Sequence, residues 1–218
     1  MSRKIFIFVG PSASGKTTVE EELIAEGASR WVVSTTRAKR ANEIEGVDYN
    51  FLSVEEFKKN KANFLHIIKI TEDWLYGYPE PPKSKGAILI SIINVEPALK
   101  LKKILEEKGE EVYIISFQIS KDIRKKLLQK RGDKEKDIKV RFSREEDQAK
   151  SFSNFSSSPN LIVKDLNHSL DEIKEFILSK FFKSKDIEYF TSKDKTPEEV
   201  KKELEEKEFG FNYPFPLK

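Results

Sequence analysis

The sequence predicts an α/β fold: a mainly parallel sheet with helices on both faces. Three observations predict it. Short continuous apolar runs recur at residues 4–9, 87–93 and 112–117, the pattern of parallel strands buried on both sides. Stretches of helical composition or spacing follow each run, and strands alternating with helices imply parallel pairing. A turn rich in glycine and serine joins the first run to the first helix.

The elements follow in order. Residues 4–9 read as the first strand and Thr17 to Ala25 as a helix. Residues 31–34 (Trp-Val-Val-Ser) read as a second strand, and residues 87–93 as another buried one. Ala98 to Lys108 is the next helix, Val112 to Phe117 the next strand, and Ser120 to about Lys130 the helix after it. Leu161-Ile162-Val163 is a last short strand. Ser169 to Phe182 carries Leu170, Ile173, Phe176 and Ile177 at helical spacing. Two segments break the alternation: residues 35–85, mixed in pattern and ending in Pro79-Glu80-Pro81-Pro82, read as an inserted lobe, and the charged residues 131–150 as a flap. Past residue 183 comes a Lys/Glu-rich extension, in which Thr196-Pro197-Glu198-Glu199 is a capping box with proline in the first turn.

Composition narrows the function. A chain of 218 residues suits one domain carrying inserted lobes. Apolar residues at 38% and aromatics at 11% support a packed core. Lys and Arg number 40 against 37 Asp and Glu, a net charge of +3, so no global field holds a nucleic-acid backbone or an anionic membrane. The absence of cysteine excludes disulfides, thiolate catalysis and cysteine metal sites, and two histidines cannot form a histidine-rich one. No apolar run approaches the ~20 residues of a membrane span. The apolar start lacks a following small-residue cleavage site, so a cytoplasmic protein is expected, as monomer or homodimer.

The most specific motif is Gly10-Pro11-Ser12-Ala13-Ser14-Gly15-Lys16-Thr17, which fits G-x-x-x-x-G-K-[ST] between a strand and a helix. Glycines let backbone N–H groups turn toward phosphate oxygens, and a helix N-terminus adds partial positive charge. Lys16 supplies a point charge for the β- and γ-phosphates, and the Thr17 hydroxyl is a ligand for Mg²⁺. A nucleoside triphosphate is thus the expected ligand, with Thr18 beside it in the first turn.

A second cluster, Ser34-Thr35-Thr36-Arg37-Ala38-Lys39-Arg40, leads into Glu45-Gly46-Val47-Asp48-Tyr49-Asn50-Phe51. Two arginines three apart can grip one anion bidentately, with Tyr49 and, further on, Tyr76 as phenol donors. Read on composition alone, the same stretch is more simply a solvated basic loop before a core Tyr/Phe strand.

Over roughly residues 3–180 the ordered motifs resemble the guanylate kinase family: residues 10–17; Ser-Thr-Thr-Arg-x-x-Arg at 34–40; Glu-x-x-Gly-x-Asp-Tyr-x-Phe at 43–51; Ser-Val-Glu-Glu-Phe at 53–57; Tyr76-Gly77; and Arg131-Gly132 before a charged helix carrying Arg141. The resemblance implies a P-loop NTPase fold over residues 1–182. A core of residues 1–34 and 86–182 would hold ATP, a lobe of 35–85 a nucleoside monophosphate, and a lid near 131–150 would close over both. It implies that Arg37, Arg40, Tyr49 and Tyr76 grip the acceptor phosphate and that Ser34, His66 and Tyr78 lie beside the acceptor. Lys16, Arg131 and Arg141 would offset charge on the transferring phosphoryl. Arg144, one helical turn beyond Arg141, is a further lid candidate by spacing.

Several positions depart from the family pattern. His66 replaces an acidic residue, Tyr78 replaces Ser or Thr after the Tyr-Gly pair, and the stretch 89–94 has no acid before Glu96. Ala13 stands where glycine is usual, and Lys164 near where an asparagine meets adenine. A carboxylate accepts both N–H donors of guanine's edge, whereas neutral imidazole accepts one. Glu72 and Asp73 are candidate replacements. The expected function is ATP- and Mg²⁺-dependent phosphoryl transfer to a nucleoside monophosphate, GMP, dGMP or a modified one. The alternatives are a sugar-phosphate kinase resembling ribose 1,5-bisphosphate phosphokinase and a non-catalytic binding module. The residues also have plain packing readings: His66 as a half-buried strand residue, His168 as a surface residue by a helix cap, and Tyr78, Trp31 and Trp74 as packing.

Overall fold

The computed structural model describes residues 3–41, 43–83, 88–140, 142–143, 159–167 and 169–180. The expected tail helix after Thr196 lies outside them, as do His168, Arg141 and Arg144. Strand β1 (Lys4–Val9) is buried along its whole length. It is the centre of a five-stranded sheet with β2 (Ser29–Arg30), β7 (Ile88–Ile92), β8 (Glu111–Phe117) and β9 (Leu161–Val163), in the order β2-β7-β1-β8-β9. Every pairing in it is parallel. Period-two alternation splits β1 between two cores. Ile5, Ile7 and Val9 pack with Leu101 and Leu105 of α3 (Val95–Glu107). Phe6 and Phe8 pack with Val19 and Leu23 of α1 (Lys16–Ala25) and Ile173 and Ile177 of α6 (Ser169–Leu178). Each fully buried large apolar side chain contributes about 1.5–3 kcal/mol, so the sheet needs both helical layers.

A second sheet occupies residues 33–79. It joins β3 (Val33–Thr35), β4 (Tyr49–Phe51), β5 (Phe64–Lys69) and β6 (Leu75–Pro79) in the order β4-β3-β6-β5. Between β4 and β5 lies α2 (Val54–Lys59), started by a capping box: Ser53 Oγ accepts from the Glu56 N–H and Glu56 Oε2 from the Ser53 N–H at 2.8 Å. Phe57 on this helix is 1% exposed and meets Phe64 with ring centroids 4.8 Å apart.

One expectation is corrected. Residues 31–34 do not form one strand. Ser29 and Arg30 pair with β7, to which Trp31 adds one N–H bond on the Ile90 carbonyl at 2.7 Å, and Val33–Thr35 pairs in the second sheet with β4 and β6. The crossing is fixed on both sides. Arg30 donates to Glu20 at 2.9 Å and to Asp48 at 2.6 Å, and Trp31, 2% exposed, fills the space between the sheets edge-on to Tyr78. The helix expected at 98–108 starts three residues earlier, at Val95, with Asn94 as an extended N-cap and Glu96 and Pro97 in its first turn. After α4 (Lys121–Lys130), residues 135–140 form helix α5. No helix among the described residues is long and apolar enough to cross a membrane.

Candidate active site

The turn after β1 is built for close approach. Gly10 (φ 151°) leaves no room for a side chain, since a Cβ would lie 2.6 Å from the Phe117 carbonyl oxygen. Gly15 (φ 84°) opens α1 in the left-handed region, and a Cβ there would meet Leu166 at 2.7 Å. No side chain caps α1 and no acid sits in its first turn. Its opening N–H groups are thus suited to an external anion, the donor set a polyphosphate chain needs. Lys16 Nζ reaches back over the turn, donating to the carbonyls of Gly10 at 2.9 Å and Pro11 at 2.6 Å. Ser14 Oγ ties to the Pro11 carbonyl at 2.8 Å, while Thr17 and Thr18 are exposed at the helix start.

Ala13 holds φ 57°, the only left-handed non-glycine among the described residues. That costs about 1–2 kcal/mol. Its methyl, however, packs on Leu128, Ile138 and Phe142, a small cluster between α4 and α5. Burying one methyl returns about 0.8 kcal/mol. Ala13→Gly is therefore expected to change stability by under about 1 kcal/mol, since relieved strain and lost packing oppose each other. Chemical denaturation measures this; a loss above 2 kcal/mol would show that the methyl contact dominates.

Facing this turn are tyrosines of the second sheet. A cavity of about 260 Å³ is lined by Gly10, Pro11, Ser12 and Lys16 on one side and by Tyr49, Tyr76 and Tyr78 on the other. The Tyr49 and Tyr76 rings stand 5.9 Å apart, and burial pushes the Tyr49 phenol above its usual range. Arg37 lies over the Tyr49 ring at 5.3 Å, and the neighbouring Tyr76 phenol helps hold its guanidinium charged. Its guanidinium is held bidentately by Glu43, at 2.6 and 3.0 Å. Glu43 also accepts the Arg40 N–H at 2.7 Å, and the Arg40 guanidinium stands 3.8 Å away. One carboxylate thus sits between the two arginines, and the Arg37 hydrogen bonds hold it below the ordinary glutamate range. Arg40, with 72% of its side chain exposed, lines a neighbouring cavity with Thr17 and Tyr49.

Other expected residues fall elsewhere. Ser34 is buried in β3, opposite Gly77. Tyr78 is 3% exposed and packs on Trp31, with its hydroxyl bonded to Ser91 and its ionisation pushed far up by burial; it forms cavity wall and core together. His66 pairs with Tyr78 on β5, is half-buried and does not line the cavity. Burial, then the charge of Lys100, hold its ring below the usual histidine range. Glu72 turns outward to Lys69, and the Asp73 carbonyl accepts from Thr36; neither supplies a carboxylate to the cavity. Arg131 ends α4 and folds onto Asp133 at the surface, with Nε at 2.8 Å.

Three residues carry more here than their sequence context signals. Glu43 organises both arginines. Asn94 sits at the N-cap of α3, makes no side-chain cap bond and lines the cavity. Arg124 is 7% exposed; it donates to the carbonyls of Ile119 at 3.1 Å and Ser12 at 3.2 Å and lies over Phe142 at 5.0 Å. It ties the phosphate turn to α4 and α5. An arginine inside a charge-dense helix gives no sequence sign of such partners.

Comparison with known proteins agrees with this geometry. A family model described as guanylate kinase matches residues 2–180. A guanylate kinase of Thermotoga maritima is 30% identical over 188 residues, 82% of this chain and 86% of that protein. One of Prochlorococcus marinus subsp. pastoris is 32% identical over 185 residues, 81% of this chain and 95% of that protein. The crystal structure of guanylate kinase from Anaplasma phagocytophilum shares the fold, with a TM-score of 0.58 at 22% identity, covering 84% of this chain and 88% of that one.

Proposed function

The chain belongs to the guanylate kinase family and is a nucleoside monophosphate kinase, and from that premise we propose that it transfers the γ-phosphoryl of ATP, with Mg²⁺, to a monophosphate held between its two sheets. The observation that carries this reading is that the phosphate turn and the Tyr49–Tyr76 pair line one cavity. The turn binds the donor's phosphates and the second sheet is the acceptor lobe. The Thr17 hydroxyl would hold Mg²⁺, which would supply positive charge at the donor phosphates.

Phosphoryl transfer needs alignment and positive charge more than covalent chemistry. Tyr49 and Tyr76 donate hydrogen bonds that fix the acceptor phosphate. Arg37 is fixed in position by Glu43, and Arg40 remains free to swing onto the acceptor. An acceptor phosphate oxygen then forms a bond to the γ-phosphorus as the bond to the β–γ bridging oxygen breaks. Lys16 exchanges its carbonyl partners for the γ-phosphate and offsets the charge that spreads over it. Arg131 joins it on release from Asp133; Arg141, its expected companion, lies outside the described residues. Enclosing the reacting groups also excludes water, which would otherwise take the phosphoryl.

A coupled assay of ADP release across the ribo- and deoxyribonucleoside monophosphates, with ribose 1,5-bisphosphate as a further acceptor, tests the reading. Turnover with a monophosphate supports it; none with any nucleotide by a folded protein overturns it. Arg40→Ala is expected to raise the acceptor KM about 10–150-fold, the worth of a charged hydrogen bond of ~1.5–3 kcal/mol. An equal rise in the KM for ATP would contradict separate donor and acceptor sites.

A further inference from the structure

Helix α4 buries an arginine and exposes the apolar residues beside it. Arg124 and Leu128, one turn apart, are its buried residues, whereas Ile123 is 44% exposed and Leu127 37%. Apolar side chains ordinarily take the buried stripe of a helix, and a cation leaves water only where hydrogen bonds compensate it. Packing alone would place a leucine at 124. The guanidinium is instead directed: Nε donates to the Ile119 carbonyl at 3.1 Å and Nη1 to the Ser12 carbonyl at 3.2 Å. Ser12 belongs to the phosphate turn and lines the cavity with Lys16.

That bond fixes one peptide unit of the turn. The Ser12 carbonyl and the Ala13 N–H share a trans peptide, so they point in opposite directions. With the carbonyl drawn toward α4, the Ala13 N–H is turned away from it. This N–H makes no hydrogen bond among the described residues. Ala13 and Gly15 both hold left-handed φ, 57° and 84°, and such residues make neighbouring N–H groups converge on an anion. A left-handed alanine persists only where its surroundings over-determine it. Here its methyl rests on Leu128, Ile138 and Phe142, and Arg124 holds the peptide ahead of it. The Arg124 charge at the carbonyl end also polarises the unit and strengthens its N–H as a donor.

We propose that Arg124 is a positioning residue for the triphosphate: by holding the Ser12 carbonyl it presents the Ala13 N–H to the phosphates. The proposal rests on the reading of this turn as the ATP site.

The test titrates ATP with Mg²⁺ by calorimetry into the wild type, Arg124→Met, Arg124→Lys and Leu128→Ala, each first checked for folding by circular dichroism. Arg124→Met keeps an apolar stem and removes the bond to Ser12. It is expected to weaken ATP binding about tenfold or more, the worth of one charged hydrogen bond. Arg124→Lys keeps the charge without the fork, so its affinity should fall between that of Arg124→Met and the wild type. Leu128→Ala strips packing from beneath Ala13 and leaves the guanidinium in place. It should lower the melting temperature yet leave ATP affinity within about threefold of wild type. In the ¹⁵N-labelled wild type the Ala13 amide proton should move downfield on adding ATP, a reading that needs no variant to fold. Four outcomes overturn the assignment while the kinase reading stands: Arg124→Met within about threefold of wild type, Arg124→Lys no better than Arg124→Met, a loss in Leu128→Ala as large as in Arg124→Met, or an Ala13 amide unmoved by ATP. A wild type that binds no ATP removes both.

Discussion

Lys16→Ala is expected to lower turnover about 10²–10³-fold, the loss typical when one preorganised donor to a developing charge is removed. The ammonium stands over the turn, held by two backbone carbonyls at 2.9 and 2.6 Å. These are bonds that a phosphate oxygen can replace. Single-turnover kinetics at saturating ATP separates this effect from weaker binding. Lys16→Arg retains the charge but presents a planar fork where a point charge fits, so it should restore ATP binding better than turnover. A Lys16→Ala enzyme within tenfold of wild type would mean that positive charge reaches the phosphoryl from elsewhere, with Arg131 the first residue to examine.

Trp31→Ala should have the largest effect on stability, a loss of about 3–5 kcal/mol. Trp31 is 2% exposed and sits where the chain passes from the parallel sheet to the second sheet, with its ring edge-on to Tyr78 at 5.6 Å. Removing it opens a cavity between the two halves of the site. At about 2–4 °C per kcal/mol, the melting temperature should fall by roughly 6–20 °C. Because Tyr78 is also cavity wall, the acceptor KM should rise more than the KM for ATP. Trp31→Phe separates the ring from its polar edge. The Trp31 Nε1 atom is buried without a hydrogen-bond partner, so phenylalanine gives up area but no bond and should cost less than half as much. Equal losses in the two variants would place the effect in the indole edge and overturn the packing argument.

Part of this was legible in the residues. A run such as Ile-Phe-Ile-Phe-Val at 5–9 has no polar face to give to water, so burial on both sides and parallel pairing follow. The Ser53–Glu56 capping box that starts α2 is an equally local signal, but it sits in the stretch 35–85 that reads only as a mixed lobe. The strand at 31–34 misled because Trp-Val-Val fits a strand in either sheet; local pattern states that a segment is extended but not which neighbour it pairs with. Arg37 and Arg40 stood out by spacing and Glu43 as the start of a motif, but that the Glu43 carboxylate sits between the two arginines is visible only in the structure.

What the sequence by itself determined is whatever depends on neighbours along the chain: the buried central strands, the glycine turn that leads into α1, and the helix caps. Short-range sterics and period-two or helical burial patterns settle these. Only the tertiary structure decided what fills the space between the sheets. Arg124 meets Ser12 from 112 positions away, and Tyr78 of the second sheet closes on Trp31 at the crossing. Four isoleucines of the cavity, Ile68, Ile70, Ile92 and Ile93, come together from β5, β7 and the segments after them. No local rule encodes such contacts, because each is chosen by how two packed layers meet and not by the residues beside it in the chain.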